Sequence, residues 1–146
     1  MYDDLFKKIL IVEDDLSYRN PLRDFLSNHS YTVSVADDGA MAMEKLLFHK
    51  PNVVILDLML PKVNGFDVLG RIRAYPDSEV ANLPVIVLSN LSGEKDIAKA
   101  KAGGINYYLI KSQTTFDDVL RKVEEILFHG KAPSGPAQEV WDLTKV

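Results

Sequence analysis

The sequence contains no cysteine. Disulfides, thiolate metal sites and a cysteine nucleophile are therefore excluded. It has no apolar run near the length of a membrane span, and its first residues, Met1-Tyr2-Asp3-Asp4-Leu5-Phe6-Lys7-Lys8, are polar and mixed in charge. Neither a membrane association nor a signal peptide is expected, and a cytoplasmic location is the default. It also lacks a basic stripe, and with a net charge of −4 direct nucleic-acid binding is not expected. There is no G-x-G-x-x-G and no G-x-x-x-x-G-K, which disfavours dinucleotide and P-loop enzymes. Internal repeats and low-complexity blocks are absent as well.

What is present fits one domain with a real core. The 146 residues are 47% hydrophobic and 26% charged, too apolar for a disordered chain. The organising stretch runs from Val53 to Gly65. Val53-Val54-Ile55-Leu56 is a continuous apolar run that stops at Asp57; Leu58-Met59-Leu60 follows, and Pro61 and Gly65 break the pattern. Such a run between breakers predicts a strand buried on both faces.

The same grammar repeats along the chain. Lys8–Val12 is a buried strand ending on Glu13-Asp14-Asp15, with Asp15 or Ser17 as cap of the helix that follows. Tyr18, Leu22, Phe25 and Leu26 give that helix its apolar face. If Ser17 is the cap, Pro21 is the fourth helical residue and does little damage. Tyr31–Ala36 alternates and reads as a half-exposed strand. Ala40, Met43, Leu46 and Leu47 form the next helical face. A third helix from about Gly65 to Ala74 carries Phe66, Leu69 and Ile72, and 75–79 reads as a loop. Val85–Leu88 is a strand ending on Ser89-Asn90. The fourth helix, 92–102, has few large apolar residues and is expected to pack weakly. Tyr107–Ile110 is the fifth strand and ends on Lys111-Ser112. Thr114 or Thr115 caps a last helix with Phe116, Val119, Leu120, Val123 and Leu127 on one face. From Gly130 the composition shifts, so residues 130–146 read as a linker-like or partly disordered tail after a domain at 8–129.

Five βα units predict an α/β fold: a doubly wound parallel sheet with right-handed crossovers. The alternating second strand belongs at an edge and strands one and three are fully buried, which favours the flavodoxin-like (βα)5 order 2-1-3-4-5. In such a sheet, ligands bind outside the carboxyl ends of the strands. Glu13, Asp14, Asp57, Ser89 and Lys111 then converge from four strand ends. Three carboxylates together call for a hard divalent cation, and oxygen ligands without sulfur point to Mg²⁺. A carboxylate in that setting can accept a phosphoryl group, with lysine and hydroxyl against its oxygens.

These residues resemble the response-regulator receiver domain of two-component signalling (CheY-like) over about Lys8 to His129. Ile-Leu-Ile-Val-Glu-Asp-Asp resembles the acid-pair strand end, and Val-Val-Ile-Leu-Asp-Leu-Met-Leu-Pro-Lys-Val-Asn-Gly the acceptor motif. Val-Ile-Val-Leu-Ser resembles the switch-hydroxyl strand, and Tyr-Leu-Ile-Lys the last. The resemblance implies that Asp57 accepts a phosphoryl group from the phosphohistidine of a sensor histidine kinase or phosphotransfer protein. It implies Mg²⁺ on Asp14, Asp57 and the Met59 carbonyl, with Glu13 acting mainly through water. Ser89 and an inward-swinging Tyr108 would read the phosphorylated state. The face of the fourth helix, fifth strand and fifth helix would then change its contacts with a downstream protein. Mg²⁺-dependent self-phosphorylation and slow self-dephosphorylation are implied, rather than enzymatic turnover.

The chain departs from the family pattern at Ser112, where proline with a cis bond is usual, at Asn90, where alanine or glycine is common, and at Tyr107. Asn90 is expected to alter phosphorylation and dephosphorylation rates. A stand-alone regulator or phosphorelay carrier is the leading expectation, since no output domain is evident, and a receiver fragment of a longer multidomain regulator is the alternative. A docking-only pseudo-receiver normally lacks an acid or the lysine, and none is missing. An aspartyl-phosphate phosphatase of the haloacid-dehalogenase type needs an acid where Met59 stands.

Overall fold

The structure, a computed structural model, describes residues 6–128. The tail expected at 130–146 lies outside the described residues. Five parallel strands form one sheet in the order β2-β1-β3-β4-β5, as the sequence predicts. They are β1 (Lys8–Val12), β2 (Thr32–Ala36), β3 (Val53–Leu56), β4 (Val85–Ser89) and β5 (Tyr107–Ile110). The helices are α1 (Leu16–Ser27), α2 (Gly39–His49), α3 (Gly65–Arg73), α4 (Ser78–Ala81), α5 (Glu94–Gly103) and α6 (Phe116–Phe128). Among the described residues no helix is long and apolar enough to cross a membrane.

Side chains alternate across a strand, and the alternation divides the core in two. Leu10, Val12, Val54, Leu56, Val85, Val87 and Tyr108 face one hydrophobic cluster, shared with α2, α3 and α5. Ile9, Ile11, Val53, Ile55, Ile86, Leu88 and Tyr107 face the other, with α1 and α6. Every residue of β3, β4 and β5 is buried, whereas β2, at the edge, buries only Ala36.

Several local expectations change. Asp15, not Ser17, caps α1 and accepts the Ser17 N–H, so Pro21 is the sixth helical residue and lies inside the helix. It lies on the exposed side, where water can take the carbonyl it leaves unbonded. Helix α2 buries Gly39, Ala42 and Leu46, while Ala40 and Leu47 are exposed; glycine at its start lets it sit close to Val63 and to Val68 of α3. Asp77 caps the short α4, within the segment expected to be loop, so the helix expected fourth is α5. In α6, Ile126 is buried and Leu127 only packs against the cluster. Thr115 caps this helix reciprocally: its Oγ1 accepts the Asp118 N–H and an Asp118 carboxylate oxygen accepts its own N–H. The thin face expected of the fourth helix is present, since α5 buries only Ile97 and Ala100.

Side chains pin the N-terminal edge of the sheet. Asn52 donates its N–H to the Lys8 carbonyl and accepts the Lys8 N–H on Oδ1, both at 2.8 Å. Asn106 makes the same pair with Val85, at 2.8 and 3.0 Å. Arg73, at the end of α3, donates to the carbonyls of Ala81, Leu83 and Gly104 at 2.6–2.9 Å.

Candidate functional site

The site lies at the C-terminal edge, where each apolar strand gives way to polar side chains. Two backbone bonds set the level of its acids. The Glu13 N–H donates to the Ala36 carbonyl and the Asp57 N–H to the Val12 carbonyl, at 2.9 and 3.0 Å. Parallel pairing is thus carried one residue past the strand ends, and both acids are buried despite their charge. Gly65 opens α3 directly against this segment and donates to the Leu58 carbonyl at 2.9 Å. A Cβ at position 65 would collide with the Asp57 carbonyl and the Leu58 backbone, so only glycine lets α3 start there.

Carboxylate oxygens of Glu13, Asp14 and Asp57 come within 4.8 Å of one another. Asp14 is exposed, while Glu13 and Asp57 are buried. Lys111 enters from the end of β5 and donates from Nζ to Asp57 Oδ2 at 2.9 Å and to Glu13 Oε1. The other oxygens are also engaged: Asp57 Oδ1 accepts the Met59 N–H and Glu13 Oε2 the Asp15 N–H, each at 3.0 Å. Three acids face one ammonium, so negative charge is in excess. Burial, opposed by the Lys111 hydrogen bond and reinforced by the Asp57 charge, pushes the Glu13 carboxyl up to about 7. Burial would pull the Lys111 ammonium down, but its bonds to Glu13 and Asp57 outweigh this and raise it. The lysine thus stays charged. An all-oxygen donor set with surplus negative charge fits a hard divalent cation.

Ser89 and Tyr108 meet at one residue. Ser89 is fully buried, and its Oγ accepts the Leu91 N–H at 3.3 Å. The Tyr108 hydroxyl donates to the Leu91 carbonyl at 2.7 Å, and its ring is fully buried on the α5 side. Tyr107 packs in the opposite cluster. The two tyrosines therefore face opposite sides of the sheet, as their adjacency requires.

The structure brings Glu13, Asp14, Asp57 and Lys111 together, sets the Met59 N–H on Asp57, and joins Ser89 and Tyr108 separately at the Leu91 backbone. It also shows what sequence reasoning missed. Leu91, at which Ser89 and Tyr108 converge, contributes only backbone atoms and has no side-chain signal. The departures Asn90 and Ser112 are partners: Asn90 Oδ1 accepts the Ser112 N–H at 3.2 Å. A proline at 112 would have no N–H to offer. The Lys111–Ser112 bond is trans, and 111–113 form a 3₁₀ turn. Tyr18, read only as part of a helical face, lies beside Lys111; its place one turn after Asp14 was the available clue.

The chain is similar to known proteins in sequence and in fold. Residues 9–124 match the family model described as "Response regulator receiver domain". The curated "Response regulator MprA" of Mycobacterium sp. (strain KMS) is 30% identical over 140 residues, which is 94% of this chain and 59% of that protein. The MprA of Mycobacterium leprae (strain TN) is 30% identical over 91% of this chain and 56% of its own length. The chain thus spans under three fifths of these relatives. Among solved structures, the chemotaxis response regulator CheY4 of Vibrio cholerae superposes with a TM-score of 0.75 at 25% identity, covering 84% of this chain and 99% of that one. The signal receiver domain of a DNA-binding response regulator (merR) from Colwellia psychrerythraea gives 0.75 at 28% identity, covering 83% and 98%.

Proposed function

The chain belongs to the response regulator receiver domain family, and from that premise we propose that it is a phosphoacceptor switch with Asp57 as the acceptor. The observation that carries this reading is the partly buried Lys111 ammonium bound to both Asp57 and Glu13, with Asp14 completing the carboxylate trio. The donor is a phosphohistidine on a sensor histidine kinase or histidine phosphotransfer protein. An Asp57 carboxylate oxygen forms the new P–O bond while the P–N bond breaks, and the imidazole leaves with the electron pair and takes a proton.

Glu13, Asp14, Asp57 and the Met59 carbonyl are the groups that would hold Mg²⁺. When bound, it supplies positive charge against the phosphoryl oxygens. Lys111 needs only a small turn from Asp57 Oδ2 to meet a phosphoryl oxygen on the same carboxylate. The Ser89 hydroxyl donates to another, and doing so weakens its bond to the Leu91 N–H. Because Tyr108 holds the Leu91 carbonyl, that change passes to the α5–β5–α6 face, where a downstream protein would read it. Helix α5, with only two buried residues, is the element of this face that yields most readily. Phosphoryl loss is slow self-hydrolysis, and the protein acts in the cytoplasm without direct nucleic-acid contact by this domain.

A second reading, the receiver portion of a longer multidomain regulator, is favoured by one observation: the curated relatives extend well beyond the matched length. It leaves the chemistry at Asp57 unchanged.

Intact-mass analysis after incubation with Mg²⁺ and acetyl phosphate tests the reading. A single phosphoryl adduct is expected, absent with EDTA and absent in Asp57→Asn. No adduct on the wild-type protein under any condition would leave a docking-only module.

A further inference from the structure

Lys111 has a third neighbour besides the two carboxylates. Its Nζ stands over the Tyr18 ring, 4.7 Å from the centroid. Tyr18 is half-buried in α1. Behind it, Phe116 at the start of α6 packs edge-on at 5.7 Å and 82°. Phe25, two helical turns further along α1, braces Phe116 in turn at 5.6 Å. The ring is therefore held from behind and presents a face to the ammonium. Its hydroxyl is buried and has no hydrogen-bond partner among the described residues. An unpaired buried hydroxyl costs stability, so the hydrogen-bonding capacity of this side chain does not account for its place. The phenol is pushed up to about 12, first by burial, with the Glu13 and Asp57 charges adding and Lys111 opposing. It stays neutral at any ordinary pH.

We propose that Tyr18 is a positioning residue for Lys111: its braced aromatic face cradles the ammonium and aims it between Asp57 and Glu13. The inference rests on the reading of Asp57 as acceptor. Lysine is a point charge on a flexible four-carbon stem, and the carboxylates that hold it change during the reaction. Asp57 becomes an acyl phosphate, and Glu13 takes part in binding a cation. The π-face changes in neither event. An attraction between ammonium and ring, strengthened where both are shielded from water, keeps the lysine at the site while its other partners are altered.

Two variants separate the ring from the hydroxyl. Tyr18→Phe keeps the face and deletes only the unpartnered oxygen. Tyr18→Leu deletes the face. The rate of adduct formation on Asp57 from acetyl phosphate and Mg²⁺ is expected to stay within about twofold of wild type for Tyr18→Phe and to fall about five- to tenfold for Tyr18→Leu. The second readout is NMR of the Lys111 side chain. Its terminal resonances should carry a ring-current shift in wild type and Tyr18→Phe, lost in Tyr18→Leu. Equal rates for Tyr18→Leu and wild type, or an equal fall in both variants, would overturn the cradle. If wild type takes no phosphoryl group, the acceptor reading fails instead, and the ring-current shift alone then decides: its absence from wild type overturns the cradle and its presence supports it. Should Tyr18→Leu melt too early to assay, Tyr18→Met, which fills similar space with a flexible chain, takes its place under the same criteria.

Discussion

At the N-terminal edge of the sheet, neutral amides and one guanidinium bind only backbone; at the C-terminal edge, carboxylates and a lysine also bind one another. Asn52 and Asn106 each close a two-bond ring on the neighbouring strand. Arg73 gathers three carbonyls, from the end of α4, the loop before β4 and the cap of α5. Backbone carbonyls are neutral and fixed, so these contacts do not depend on pH or ligand. At the other edge, Glu13, Asp14, Asp57 and Lys111 form a charged group whose members depend on one another and carry excess negative charge. One edge ties the strands together, while the other holds unlike charges close at a cost. Arg73 also fixes the C-terminal end of α5 and leaves its start, next to Leu91, without a comparable tie: Gly93 caps that end with no side-chain bond.

The largest effect should come from Asp57→Asn, and it should be functional only. Phosphoryl uptake is lost altogether, yet thermal unfolding should show a protein at least as stable as wild type. Lys111 keeps Glu13 as partner, and a like charge beside Glu13 is removed. A clear loss of stability would mean that the charged edge is also a structural clasp. Arg73→Ala should do the reverse. Losing a half-buried guanidinium with three carbonyl partners should cost about 2–4 kcal/mol in denaturant unfolding, while acetyl phosphate still labels Asp57. If labelling disappears in a folded Arg73→Ala protein, the two edges are not independent.

A smaller effect separates the edges by pH. The folded state holds Glu13 protonated up to about pH 7, whereas the unfolded chain releases that proton near 4.5. Between those values the folded state binds more protons. The contribution is therefore fully present below pH 4.5 and is lost as pH rises through 7. Melts in EDTA across that window should show it in wild type and not in Glu13→Gln; identical slopes would refute the assignment. Mg²⁺ selects the ionised form, so its stabilising effect should grow with pH over the same range. The smallest effect is expected at Asn90→Ala. One exposed hydrogen bond to the Ser112 N–H is lost, so adduct formation or decay should change by about threefold, with under ~1 kcal/mol in stability. Unchanged rates would show that the strap between the β4 and β5 loops has no part in the chemistry.

Much of this was legible in the chain. Asp57, Glu13, Asp14, Ser89 and Lys111 each follow a short apolar run, and a parallel sheet brings the ends of such runs together. Less legible were features set by neighbours rather than by pattern. Ala42 replaced Ala40 on the buried face of α2, the face that carries Gly39 and Leu46. Asp77 started a helical turn where Tyr75-Pro76-Asp77 suggested only loop. The Asn90–Ser112 contact joins residues 22 apart, and each, taken alone, was only an odd residue.

The sequence by itself determined the five strands, their order and which polar residues stand at their ends, because apolar runs and period-two alternation are local properties that a sheet must obey. The tertiary structure decided the rest: that Glu13 is buried and Asp14 exposed, that Lys111 reaches back 54 residues to Asp57, and that Tyr18 lies beneath that lysine. Burial and distance between residues far apart in sequence depend on how helices seat against the sheet. That seating is fixed only when all the side chains pack at once.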